Sequence, residues 1–152
     1  MSIDQEPATI ILVGVDGSES SIEALRQGVK LAVALGARVK AVTCWNTPTV
    51  YQVPYSLGSV DFKGVAQEIL DKAIERAFGL DWPENLTTDL IQGSARPTLI
   101  EASRDATLLV LGRRGFGGFT GLLMGSVSSA CAAHAHCPVV IVHAPKNGED
   151  HA

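Results

Sequence analysis

Ile10-Ile11-Leu12-Val13-Gly14-Val15 is a nearly continuous, largely β-branched apolar run. A strand with one wet face would alternate apolar and polar residues, so an unbroken run of this length reads as a strand covered on both faces. It ends at Asp16-Gly17, a turn pair. Beyond it Ser20, with Glu23 three residues on, reads as a capping box for a helix. Ile22, Leu25, Val29, Ala32 and Val33 recur at helical spacing, and Gly36 stops the helix.

Outward from this unit the pattern repeats. Val39 to Trp45 reads as a second strand, and residues 46–59, with Pro48, Pro54, Tyr51 and Tyr55 and no clear period, as a long loop. Val65, Ile69, Ala73, Ile74 and Phe78 mark an amphipathic helix that Gly79 closes. Leu86 to Ile91 reads as a third strand, and Pro97 fits the first turn of a short helix running to about Arg104. Thr107 to Leu111 is the fourth strand, Val127 to His134 a helix of small residues, and Val139 to His143 the fifth strand. Strict alternation of strands and helices predicts an α/β fold: an open five-stranded parallel sheet with helices on both faces, Rossmann-like in kind. In such sheets ligands bind beyond the carboxyl ends of the strands, where the winding reverses. Asp16, Trp45, Gly93 and Gly112 lie on that edge.

The chain has 152 residues, 46% of them hydrophobic, which suits one core and is too little for two ordinary domains. The expectation is one domain over residues 1–152, with its core about 9–144 and flexible ends at 1–8 and 145–152. Charged residues make up 18%, and the formal charge is −4; neither favours a nucleic-acid groove or an anionic membrane surface. The apolar runs fall far short of the ~20 residues of a membrane span. Met1 to Ala8 lacks the basic-then-apolar pattern of a secretory signal, which predicts a cytoplasmic location. Cys44, Cys131 and Cys137 are an odd number without a disulfide-framework spacing and read as core thiols of a reducing compartment.

The segment from Gly112 to Ser126, GRRGFGGFTGLLMGS, leads from the fourth strand to the last helix and holds six glycines, at 112, 115, 117, 118, 121 and 125. Without a Cβ the backbone approaches a phosphate closely and takes up positive φ, so that its N–H groups line an anion nest. Gly125-Ser126 then opens a helix whose first amides and dipole favour a further phosphate contact, with Ser126 and Ser128 as hydroxyl donors. A flexible surface loop is the alternative; the position between strand and helix and the spacing Gly-x2-Gly-x9-Gly-Ser speak against it.

That spacing resembles the nucleotide-binding signature of the universal stress protein family, in its ATP-binding branch. The likeness extends to Val13-Gly14-Val15-Asp16-Gly17-Ser18, to the order of elements and to the closing Cys137-Pro138-Val139-Val140-Ile141-Val142. The resemblance implies that Asp16 lies near adenine and ribose with Val15 beside it in the base pocket, and that Trp45 flanks adenine. It further implies that Gly112 and Gly115 lie by ribose and phosphate, and that Gly125, Ser126, Val127 and Ser128 meet the phosphates. Each residue also has a plainer reading. Asp16 suits a helix start, Val15 suits core packing, and the serines suit N-caps. Arg114, and less readily Arg113, would neutralise phosphate charge; their plainer reading is a solvated basic pair.

Cys131, His134, His136 and Cys137 are metal-ligand types within seven positions, but the last two fall at a helix-to-strand bend, so no metal site is expected. Gly-x-x-x-x-Gly-Lys-Ser/Thr and Gly-x-Ser-x-Gly are both missing, and no Gly-x-Gly-x-x-Gly follows the first strand. The leading expectation is a nucleotide-dependent regulatory or stress-response module that binds ATP with magnesium, with hydrolysis slow at most and a homodimer formed through the fifth strand. The alternatives are a magnesium-dependent ATP-hydrolysing enzyme, an AMP or cyclic-nucleotide binder, and a protein-interaction dimer with a vestigial loop.

Overall fold

The computed structural model describes residues 9–47, 60–113 and 124–144. Their strands are β1 (Ile10–Gly14), β2 (Arg38–Trp45), β3 (Leu86–Gln92), β4 (Leu108–Gly112) and β5 (Val139–Val142). The helices are α1 (Glu19–Leu35), α2 (Phe62–Phe78), α3 (Ala95–Ala102) and α4 (Ser126–His134), with a 3₁₀ turn over Ser103–Asp105. All four strand pairings are parallel, in the order β3-β2-β1-β4-β5. The sheet is wound outward from β1 through β2 to β3, then crosses back to β4 and on to β5. The winding reverses between β1 and β4, so that gap is where the fold offers a ligand crevice.

The β-branched runs sit where two-sided burial needs them. Ile11, Val13, Val39, Ala41 and Val110 pack with Ile22 and Leu25 of α1 and Leu70 and Ile74 of α2. The opposite face carries Leu12, Val42, Leu109 and Leu111 against Leu99 of α3 and Cys131 of α4. Gly36 ends α1 in the left-handed region (φ 65°, ψ 35°), and the Ala37 N–H reaches the Ala32 carbonyl at 2.8 Å, a closure that disfavours a side chain at that position.

Several boundaries differ from the sequence reading. Ser18, not Ser20, caps α1: its hydroxyl oxygen accepts the Ser21 N–H at 3.3 Å, while Ser20 is buried and the Glu23 carboxylate accepts from Arg26 and Gln27. The helix therefore starts at Glu19 and the expected capping box does not form. β1 ends at Gly14, although the Val15 N–H still donates to the Val42 carbonyl at 2.8 Å. α3 begins at Ala95, two residues before Pro97, and gives way at Ser103 to the 3₁₀ turn. β5 stops at Val142. Most of the expected loop at 46–59 and the tail from Pro145 lie outside the described residues.

Candidate functional site

The carboxyl edge of the sheet is built from short backbone ties. Val15, 4% exposed, packs among the α1 and α2 side chains, and its carbonyl accepts the buried Thr43 hydroxyl at 2.9 Å. The next residue turns outward. The exposed Asp16 accepts the Ser18 N–H at 2.9 Å and the Ser18 hydroxyl at 2.5 Å through Oδ1. This Asx turn swings the chain from β1 into α1, so Asp16 fulfils the helix-start role its residue type favours while following β1, one of the two strands between which the winding reverses. Trp45, half-buried at the end of β2, holds the first residue after β3 through Gly93 N–H to Trp45 carbonyl at 2.8 Å.

Gly112 ends β4 against α1. A Cβ there would lie 2.6 Å from the Ser20 backbone carbonyl carbon and closer still to its hydroxyl oxygen, so close helix packing already requires glycine. Positive φ is not the reason: neither Gly112 nor Gly125 has it, and Gly125 sits at φ −74°, ψ 171° as the N-cap of α4.

Arg113 ties the segment together. Its N–H donates to the Val142 carbonyl at 2.7 Å, and its own carbonyl accepts both the Gly125 N–H and the Ser128 hydroxyl at 2.8 Å. The two ends of the glycine segment are thereby closed on each other, and the first turn of α4 is held at the end of β4. Ser128 is 2% exposed, and its hydroxyl also reaches the Gly125 carbonyl at 3.2 Å. Neither serine caps the helix: Gly125 does, with no side-chain cap bond, and Ser126 is exposed at the first helical position. The opening amides of α4, those of Ser126, Val127 and Ser128, have no carbonyl one turn earlier within the helix. The Ser128 hydroxyl, expected as a phosphate donor, is turned inward onto the Arg113 and Gly125 carbonyls, so the edge presents the opening amides and the exposed Ser126 hydroxyl, a donor set that fits a phosphate. Arg114 and Gly115 lie outside the described residues.

The structure brings Val15, Asp16, Gly112 and the Gly125–Ser128 turn to the β1–β4 reversal, with Trp45 one strand away. Sequence reasoning missed the double use of the Arg113 carbonyl, the fit of Ser20 on Gly112, and His143, whose Nδ1 lies 3.5 Å from Arg113 Nη1. Each joins residues from different elements, and no local pattern marks them.

The cysteines stay on the core side. Burial, then the neighbouring Cys131, pushes the Cys44 thiol up to about 11; burial also raises Cys131 and Cys137. All three are free thiols. Among the described residues no group of three or more His, Cys, Asp or Glu is arranged to hold a metal ion. No described helix is long and apolar enough to cross a membrane.

Residues 8–143 match the universal stress protein family. The chain belongs to that family. A universal stress protein of Mycobacterium tuberculosis (strain H37Rv) is 33% identical over 139 residues, covering 88% of this chain and 47% of its own length. The chain therefore spans about half the length of that mycobacterial universal stress protein. Among solved structures, the universal stress protein UspA from Lactobacillus plantarum superposes with a TM-score of 0.73 at 23% identity, over 91% of this chain and 99% of that one. A universal stress protein in complex with cAMP superposes with a TM-score of 0.67 at 24% identity, over 92% and 100% respectively. These likenesses bear out the parallel α/β fold.

Proposed function

We propose that this universal stress protein binds an adenine nucleotide, ATP with magnesium, at the β1–β4 edge and works as a nucleotide-dependent regulatory module in the cytoplasm. The observation that carries the reading is the Arg113 carbonyl, which receives the Gly125 N–H and the Ser128 hydroxyl together. That pair of bonds holds the amide donors of α4 at the end of β4, the strand that neighbours β1, which Asp16 follows. On this reading Trp45 and Val15 border the base, Asp16 the ribose, and Gly112, Arg114, Gly115 and the Gly125–Ser128 turn the phosphates. Magnesium would screen phosphate charge. The cAMP-bound relative of the same fold supports the nucleotide class, and makes a cyclic nucleotide the second reading for the resident ligand. The glycine motif carries no general base, which makes hydrolysis slow at most.

The test is calorimetric titration of ATP and magnesium into the parent, Gly115→Asp and Gly125→Asp. Gly125 has N-cap geometry that aspartate favours, so the helix start is retained while a carboxylate is set against the phosphates. Affinity should fall about tenfold or more, equal to about 1.4 kcal/mol. Variants that remain folded by circular dichroism and bind like the parent would refute the site. Mass spectrometry of the nucleotide released from freshly purified protein decides between ATP, AMP and cAMP.

A further inference from the structure

An open sheet has two edge strands, here β3 and β5, and each edge offers backbone groups to any strand that meets it. β3 is the longer, with seven residues against four. Among the described residues it has a neighbour on one side only, β2. Its inner side is marked by two bonds: the Val39 N–H donates to the Asn85 carbonyl and the Gly93 N–H to the Trp45 carbonyl, both at 2.8 Å. Backbone groups alternate along a strand, so Leu86, Thr88, Leu90 and Gln92 turn theirs outward.

Two of these outward donors are already used by the chain itself. The Leu86 N–H donates to the Pro83 carbonyl at 3.2 Å, in the turn that leads into the strand. The Leu90 N–H donates to Asp89 Oδ1 at 2.9 Å, and Asp89 Oδ2 lies 3.5 Å from Lys40 Nζ of β2. The donors left, at Thr88 and Gln92, are separated by the closed rung at Leu90. β5, by contrast, reads Val-Val-Ile-Val and carries no charged side chain.

The partner most readily matched to such an edge is the same edge of a second copy, in an antiparallel pair about a two-fold axis. Asp89 is the central residue of β3, so in that pair Thr88 stands opposite Leu90 of the other copy and Leu86 opposite Gln92. Each rung then needs a donor that is already taken. The two Asp89 residues would face each other across the axis, and like charges directly opposite are destabilising. We propose that Asp89 closes the β3 edge: by holding the Leu90 N–H and placing a carboxylate at the centre of the strand, it keeps β3 from pairing with a second copy of this chain. The inference is independent of the nucleotide reading, and its test needs no nucleotide.

The experiment compares by light scattering, over a range of concentrations, the parent, Asp89→Val, and Asp89→Val combined with Thr88→Pro, with circular dichroism of each. Asp89→Val removes the acceptor and the facing charges, and should give a species of about twice the parent's mass or more. Thr88→Pro removes an outward N–H that β2 does not use, so the combined variant should return to the parent's mass. A folded Asp89→Val with the parent's mass at every concentration overturns the inference. So does a larger species that persists in the combined variant, because side chains and not the strand edge then hold it together. If Asp89→Val does not fold, Asp89→Ala decides on the same measurement.

Discussion

A methyl group at Gly112 would sit 2.6 Å from the Ser20 carbonyl carbon, which belongs to helix backbone and has no rotamer through which to yield. Gly112→Ala should therefore lower the unfolding free energy by about 1–3 kcal/mol, the usual cost of overpacking, with no ligand present. Urea unfolding checks this; a change within error would mean that α1 shifts without cost. Ser128 poses the opposite case, since Ser128→Ala leaves the Arg113 carbonyl the Gly125 N–H and removes only one of two donors. Its expected cost is about 1 kcal/mol. Cys44 adds a pH dependence. Its thiol is raised from 9.0 to about 11 by burial, then by Cys131, so the fold favours the neutral form. The stability from that preference is complete below pH 9.0 and is lost as pH rises through about 11. Between pH 8 and about pH 10.5 the parent should lose more stability than Cys44→Ala; parallel unfolding curves would contradict it.

Arg26 of α1 shows how elements lock together. Its Nη2 reaches the Arg76 carbonyl at 3.1 Å and its Nε the Ala77 carbonyl at 3.4 Å, while Nη1 pairs with Glu23 at 2.9 Å. One side chain thus serves the unpaired last-turn carbonyls of α2 and pins that helix to α1. Burial opposes the Glu23 charge, but hydrogen bonds from Gln27 and Arg26 outweigh it and hold its carboxyl below the usual range. Arg26→Ala should cost about 1 kcal/mol in thermal or urea unfolding, discounted for partial exposure. The two-sided burial of β1 and β4 is legible as apolar runs, and α1 and α2 write clear periods that Gly36 and Gly79 close. β3, an edge strand exposed from Thr87 to Asp89, has a weaker signature. The start of α1 was misread because Ser18, Ser20 and Ser21 are alike in sequence, and only the Asx turn of Asp16 picks out Ser18. The glycine spacing marked the segment whose far end, Gly125, is tied back to the Arg113 carbonyl. The inward bond of Ser128 did not show, since it depends on a carbonyl fifteen residues away on another element.

At the scale of the molecule, β5 is a sheet edge. The carbonyls of Pro138 and Val142 accept from Leu109 of β4 and from Arg113 just beyond it, so by strand alternation Val139 and Ile141 turn their backbone groups outward. The homodimer we propose would pair through those groups. Light scattering of the parent should give a dimer, and Ile141→Pro, which removes an outward N–H that β4 does not use, should give a folded monomer. A monomeric parent at every accessible concentration rules out the pairing. The closure at Arg113 has a different kind of consequence. Because Gly125 returns to the end of β4 through the scaffold's own hydrogen bonds, the segment from 114 to 124 is a cassette clipped in at both ends. Chain added within it is charged only the slow logarithmic cost of loop closure, about 0.6 kcal/mol per doubling of length. The fold can therefore accept a different segment between these two ties while the sheet beneath goes on folding as before.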